Sequence, residues 1–313
     1  MYCIKANSLH KSYGSLIAVN GIDLSVKYGE VFGFLGPNGA GKSTTIKLLT
    51  TLIPPTSGSI NVLGIDAIAN PLETRKKIGV VFQQPSYEPT LTVEKALEKY
   101  GMMWNVDHKT RKDRVEELLS SFNLEEIRKI KNEDLSIGQR RRVQVAREFM
   151  HDMKLLFLDE PTAGLDPKAR RSLLDFLKNR VKVGLTIFFT THVLSEAEYL
   201  CDEIAIINKG KILAVDSPEE LKNRFGREKT IKIRIQEPKP ELLKLLENIQ
   251  DCHIDFNSGT NITIRSGNSE TILLQILQIL NENNVVIEEL STNPTNLEEI
   301  FLSMVNESDA SNS

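Results

Sequence analysis

Cysteine is scarce in this chain: three among 313 residues, at positions 3, 201 and 252. None forms a CxxC pair, which excludes the familiar zinc patterns and a disulfide framework. Reduced thiols in a cytosolic protein are the simplest account. Long apolar runs are missing too. No stretch approaches the ~18 residues that read as a bilayer span. The start, Met1-Tyr2-Cys3-Ile4-Lys5, has no signal-peptide apolar region. A membrane role would therefore place the membrane part in another chain. Nor is there an excess of positive charge. The formal net charge is −3, which offers no basic footprint for nucleic acid. No internal repeat recurs at the roughly 20–50-residue periods of solenoids and propellers.

What is present is an ordinary globular composition, 26% charged and 40% hydrophobic, long enough for one large domain and a smaller one. Charge is unevenly placed. Residues 226–313 hold seven Lys/Arg and fourteen Asp/Glu, a balance of −7 that leaves about +4 for residues 1–225. This reads as a solvated acidic accessory domain.

Val31-Phe32-Gly33-Phe34-Leu35 is a short apolar run that stops at a Gly-Pro-Asn-Gly cluster. It reads as a buried strand feeding a tight loop, with a helix from Ser43 onward. Leu155 to Leu158, ending at Asp159-Glu160, and Thr186 to Thr191, ending at His192, read the same way. Continuous apolar runs suit a parallel sheet covered on both faces, and ligands sit beyond the carboxyl ends of such strands. Residues 84–150 turn helical, with Thr92 capping a helix through Trp104 and another over 110–121. Residues 204–215 read as a hairpin turning at Asn208-Lys209-Gly210-Lys211. Ser217-Pro218-Glu219-Glu220 reads as a capping box. A boundary is expected near Phe225-Gly226. Beyond it the pattern predicts strand 229–236, helix 240–249, strand 252–256, a turn at 257–259, strand 261–265, helix 269–281 and strand 284–290. That βαββαβ order is ferredoxin-like. A last helix starts at the Thr295-Asn296-Leu297-Glu298 capping box, and residues 306–313 read as a disordered tail.

Gly36-Pro37-Asn38-Gly39-Ala40-Gly41-Lys42-Ser43 matches G-x-x-x-x-G-K-[ST] in strand–loop–helix context. Glycines let backbone N–H groups curl round a phosphate. The helix that follows, through Thr44, points its positive end at the anion. Lys42 adds a charge on the outer phosphates and Ser43 can ligate Mg²⁺. Asp159 and Glu160 supply the carboxylates that phosphoryl transfer to water needs, one for a metal and one for the water. On an extended strand they point to opposite sides, so Asp159 is expected on the Mg²⁺ side and Glu160 on the side of the attacking water.

Leu135-Ser136-Ile137-Gly138-Gln139 precedes Asp159-Glu160 by some twenty residues and resembles the signature motif of ABC ATPases. The stretch from Arg140 to Met150 and then from Leu156 to Pro167 continues the match. His192 resembles the family's switch histidine, Gln83 its glutamine at the helical subdomain, and Tyr13 its adenine-stacking aromatic. The resemblance covers roughly residues 4–225. Ile137 departs from it, standing where the first of two glycines is usual. Thr191 to Glu198 and the ending Pro294 to Phe301 are similar to drug-resistance-type exporter ATPases. The Arg140-Arg141-Arg142 run reads as a solvated or interface helix face.

The resemblance implies an α/β fold: a P-loop NTPase core of ABC type with a helical subdomain (about 84–150), plus a small α+β, ferredoxin-like C-terminal domain over 226–305. It implies ATP and Mg²⁺ as cofactors and ATP hydrolysis coupled to transport, with export the expected direction. Glu160, His192 and Gln83 would be catalytic. Tyr13, residues 36–44, Ser136, Gly138, Gln139 and Asp166 would bind nucleotide, and Ser43, Gln83 and Asp159 the metal. The expected partners are a separate transmembrane permease, docking after Gln83 around Pro85 to Thr92, and a second ATP-binding subunit, identical or not, with no nucleic acid. The protein is expected on the cytoplasmic face of the membrane. Beside this reading stand a soluble ABC-type ATPase acting on ribosomes or DNA, and a weakly hydrolysing regulatory subunit.

Overall fold

The computed structural model describes residues 1–313 except 85, 226–228, 237–244, 247–248, 250–251, 258–259, 267–268, 294–296 and 311–313. The chain divides into two units, Met1–Ser217 and Pro218–Ser313. The division falls before α8 (Pro218–Phe225) rather than at the expected 225/226, because α8 packs on α10 (Leu297–Ala310) and buries Leu221 completely.

In the first unit the all-apolar segments become strands of one sheet, as continuous hydrophobicity demands. Its order is β10 (Lys211–Asp216), β9 (Glu203–Asn208), β3 (Val31–Leu35), β8 (Thr186–Thr191), β7 (Leu155–Asp159), β6 (Ile78–Val81). All neighbours are parallel except the β9–β10 hairpin. That hairpin turns through Lys209 and Gly210, both at positive φ (46° and 77°), the conformation a two-residue hairpin loop requires. Phe157, Phe34 and Phe32 each pack against Phe188, with ring centroids 5.4–5.7 Å apart. All four rings are fully buried, worth about 1.5–3 kcal/mol each.

A second sheet went unread in the sequence: β2 (Leu16–Lys27), β1 (Tyr2–Tyr13), β4 (Ser57–Val62) and β5 (Ile65–Asp66), all antiparallel. Register shifts interrupt the β1–β2 pairing, which blurs the two-residue alternation that would have announced it. Ile4, Leu24 and Ile60 of this sheet share one core with Phe32, Phe157 and Phe188 of the parallel sheet and with Ile46 and Leu49 of α1 (Lys42–Leu49).

The helical stretch comprises α3 (Val93–Met103), α4 (His108–Ser121) and α5 (Ile137–Glu148), after the short α2 (Pro71–Arg75). Thr92 caps α3, as expected. Asp107 caps α4 by accepting from the Lys109 and Thr110 amides, so that helix starts before residue 110. Then come α6 (Pro167–Lys182) and α7 (Leu194–Leu200). Among the described residues no helix is long and apolar enough to cross a membrane.

The second unit holds β11 (Lys229–Ile235), β12 (His253–Asn257), β13 (Asn261–Ser266), α9 (Ser269–Glu282) and β14 (Ile287–Asn293). Its sheet is antiparallel in the order β12-β13-β11-β14, the split-βαβ arrangement. Ile231, Ile233, Ile262 and Ile264 pack against Ile272, Ile276 and Leu280 of α9. Most of the helix expected at 240–249 lies outside the described residues; Leu245 and Leu246 are helical. The turn at 258–259 and the Thr295-Asn296 cap lie outside them as well.

Two expectations shift. The last strand begins at Ile287, not 284, because Asn284 takes φ +50° and the Val285 amide donates to Leu280 O, which ends α9. And α10 runs on to Ala310, so residues 306–310 are not a disordered tail. Adding a residue to a nucleated helix costs little, even where the side chains are polar.

Candidate active site

Four loops leave the carboxyl ends of adjacent parallel strands, and each carries expected site residues. The loop Gly36–Gly41 leaves β3. Its close packing is what makes glycine necessary at two positions. A Cβ on Gly36 would sit 2.3 Å from Ile207 O, and one on Gly41 2.4 Å from Ala18 O, where φ is +109°. Lys42 opens α1, is buried, and donates from Nζ to Gly36 O (2.7 Å) and Pro37 O (3.1 Å). Burial lowers its pKa, opposed by the charges of Glu160 and Asp159. Ser43 and Thr44 are half-buried beside it, and Pro37, Asn38, Gly39 and Ala40 complete the loop.

Asp159 ends β7 with its side chain 2% exposed, and its Oδ1 accepts from Thr190 Oγ1 at 2.7 Å. Glu160 does not continue the strand. It sits at φ +49°, and its amide donates to Thr190 O and Oγ1, both at 3.1 Å. The alternation of an extended chain therefore does not set where Glu160 points; a turn held by Thr190 does. Its carboxylate receives a hydrogen bond from Gln83 Nε2, beyond β6, at Oε2 (3.1 Å). His192 Nδ1, beyond β8, lies 3.3 Å from Oε1. Lys42, Gln83, Asp159, Glu160 and His192, scattered over 150 positions of sequence, thus form one cluster. Behind it Glu196 Oε2 accepts from Thr162 and Thr191, both at 2.8 Å, and Arg170 pairs with its other oxygen at 3.2 Å.

Ser136, Gly138 and Gln139 occupy the first turn of α5. Ser136 Oγ accepts from the Gln139 amide and Gln139 Oε1 accepts from the Ser136 amide, a capping box. A Cβ on Gly138 would meet Gly164 O at 2.8 Å. Ile137 is 70% exposed. This turn presents N–H groups and the positive end of a helix, an anion-binding arrangement. Asp166 caps α6 through a bond from the Ala169 amide (2.9 Å), which holds its carboxyl below the usual range. Tyr13 ends β1, half exposed, with the Lys11 ammonium 5.2 Å from its ring centroid.

Of the arginine run, read as a solvated or interface helix face, Arg141 is not solvated. Arg141 is 5% exposed. It donates to Phe82 O (2.6 Å), Asp159 O (2.5 Å), Glu160 O (2.7 Å) and Pro161 O (3.2 Å). Burial brings its pKa down to about 10 against the pull of Asp159 and Glu160. Arg140 bonds Tyr87 Oη and Leu135 O, and Arg142 bonds Phe122 O and Asn123 O. One signal in the sequence pointed inward: Arg141 shares a helical stripe with Val145 and Glu148.

Asp159 and Ser43 provide a buried carboxylate and a hydroxyl, hard oxygen donors that fit Mg²⁺. Among the described residues no group of three His, Cys, Asp or Glu side chains could hold a metal. A cavity of about 580 Å³ lined by Tyr28, Arg114, His151 and Arg180 contains none of the cluster.

Residues 19–163 match the ABC transporter family, and residues 217–305 match the C-terminal domain of DrrA1-3-like ATP-binding proteins. The chain is 34% identical over 304 residues to the linearmycin resistance ATP-binding protein LnrL of Bacillus subtilis, covering 96% of this chain and 97% of that one. This chain is an ABC transporter ATP-binding protein. The daunorubicin resistance ATP-binding protein DrrA2 of Streptomyces coeruleorubidus is 32% identical, over 96% of this chain and 94% of that one. Among solved structures, an ATP-binding subunit of an ABC transporter superposes with TM-score 0.67 at 28% identity, over 72% of this chain and 93% of that one. The dimeric cassette MJ0796 in a post-hydrolysis state, bound to ADP and Pi, gives 0.64 at 28%, over 68% and 98%. As an ABC ATP-binding protein, the chain binds ATP and is an ATPase, the motor subunit of a transporter.

Proposed function

We propose that this ABC subunit drives export of a small molecule through a separate transmembrane permease, from the cytoplasmic face, with Mg²⁺ and a second ATP-binding subunit completing each site. The names of the relatives, linearmycin and daunorubicin resistance proteins, support the cargo class. The observation that carries the catalytic reading is Glu160, held between Gln83 and His192 beside buried Lys42.

The backbone N–H groups of residues 38–44 and the Lys42 ammonium bind the phosphates, and Tyr13 stacks on adenine. Ser43, Asp159 and Gln83 would hold Mg²⁺, which would neutralise phosphate charge when bound. Water attacks the γ-phosphorus as its proton passes to Glu160. The bond to the β–γ bridging oxygen breaks and ADP leaves with that electron pair. Gln83 and His192 orient the carboxylate and the water. Ser136 and Gly138 of the partner subunit, with Gln139 as their brace, close over the γ-phosphate, while Asp166 sets the start of α6 beside Gly164.

Glu160→Gln is expected to keep ATP affinity and lose about 10²–10⁴-fold in turnover. ATP should then trap a dimer, read as a doubling of mass in size-exclusion chromatography. Asp159→Asn, losing the metal ligand, should weaken ATP binding and accumulate no dimer. Wild-type turnover in Glu160→Gln would remove Glu160 from this role.

A further inference from the structure

We propose that Arg141, with Gln144 one turn on, is a positioning residue for hydrolysis: from α5 it holds the backbone that carries Gln83, Asp159 and Glu160. The proposal rests on the reading of Glu160 as the group that activates water.

The need for such a residue follows from where β7 ends. β7 ends at Asp159, Glu160 and Pro161 lie just beyond it, and all three residues are buried. Buried carbonyls must find donors. Glu160 also stands at φ +49°, a conformation that non-glycine residues keep only where their surroundings over-determine it. The Arg141 guanidinium meets all three carbonyls at 2.5–3.2 Å and reaches Phe82 O, next to Gln83, at 2.6 Å. Its Nη1 also donates to Gln144 Oε1 at 2.9 Å. Gln144, 4% exposed, donates in turn to Phe82 O and Gln84 O, both at 3.3 Å. Two side chains on one helix face therefore fix the main chain on both sides of Gln83 and across the Asp159–Pro161 turn.

A planar fork of five N–H groups spans these carbonyls in a fixed geometry; an ammonium offers three donors from a single point on a flexible stem. Mere attachment of helix to sheet would be served as well by apolar packing, without taking a charge out of water. Here the donors converge on the residues that flank the reacting carboxylate. The same helix begins with the capped turn of Ser136. Arg141 thus ties the turn that meets the partner's nucleotide to the turn that holds Glu160.

The test uses the full-length protein and the variants Arg141→Lys, Arg141→Gln, Gln144→Leu and Glu160→Gln. It measures kcat, KM, ATP binding by equilibrium dialysis and melting temperature. Misplacement of a reacting group by about 1 Å can cost on the order of 100-fold. Arg141→Gln is therefore expected to lower kcat roughly 10- to 100-fold with ATP affinity within about twofold of wild type. Arg141→Lys should recover part of that loss, and Gln144→Leu should show a smaller fall in kcat alone. Wild-type kcat in the Arg141 variants, with Glu160→Gln inactive, overturns the proposal and leaves the reading of Glu160 standing. Turnover in Glu160→Gln overturns that reading and the proposal with it. A joint fall of affinity, kcat and melting temperature in every Arg141 and Gln144 variant assigns the pair to holding the fold and overturns the positioning role. Should Arg141→Gln not fold, Arg141→Lys and Gln144→Leu decide on the same readouts.

Discussion

Lys42 braces its own loop and, in the proposed function, serves the chemistry as well. Its ammonium bonds Gly36 O and Pro37 O, at the start of the loop whose last glycine precedes it. A charge-assisted hydrogen bond is worth about 1.5–3 kcal/mol. Lys42→Ala is accordingly expected to weaken ATP binding roughly 10- to 100-fold and to bring turnover to background. Equilibrium dialysis and phosphate release measure the two effects. The motif that contains Lys42 was legible because glycine, lysine and serine are needed there at fixed spacing. Arg141 was not legible as part of the site. Three arginines in a row announce charge, and only the packing of α5 decides which of them faces inward.

At the scale of elements, α5 is the piece that joins the most. Its C-terminal end leads to Glu148 and His151, both buried. Burial raises the Glu148 pKa and lowers that of His151. The His151 ring stacks on Trp104 with centroids 3.9 Å apart. Its nitrogens lie near the backbone of Ile78 and Glu148 without hydrogen-bond geometry. A histidine with a depressed folded pKa binds fewer protons folded than unfolded. Its contribution to stability is full above the unfolded pKa of about 6.5 and is lost as pH falls through the folded value. Glu148 acts in the opposite sense, since acid neutralises it. The comparison with His151→Phe, which keeps a ring against Trp104, isolates the histidine. Between pH 7.5 and 5.5 the wild type should lose more melting temperature than this variant; equal losses would show that His151 takes no part. Caps and breaks at this scale were partly readable. Thr92 caps the helix expected of it. The β1–β2–β4–β5 sheet was not readable, because its bulges break the period on which strand reading depends.

For the whole molecule, the two units divide at Ser217/Pro218, and every expected nucleotide-site residue lies in the first. A chain ending at Ser217 is expected to fold and bind ATP with near-native affinity. One ending at Phe225 retains α8 without α10, leaving Leu221, fully buried in the intact protein, against water. It should aggregate more readily, which light scattering would register. Loss of ATP binding in a folded chain ending at Ser217 would mean that the second unit contributes to the site.

The sequence alone determined the class of the protein. The apolar runs suit buried parallel strands, and the phosphate loop, the signature and the Asp159-Glu160 pair, in that order, point to one kind of ATPase. Such motifs are readable because they depend on residue type at short range, where backbone geometry and side-chain chemistry leave few alternatives. Tertiary structure decided the rest. It brought Gln83 and His192 to Glu160 from opposite sides, placed Glu160 in a turn off the strand end, and put Arg141 beneath it. These are long-range pairings, and no local spacing encodes which of several buried polar groups will meet.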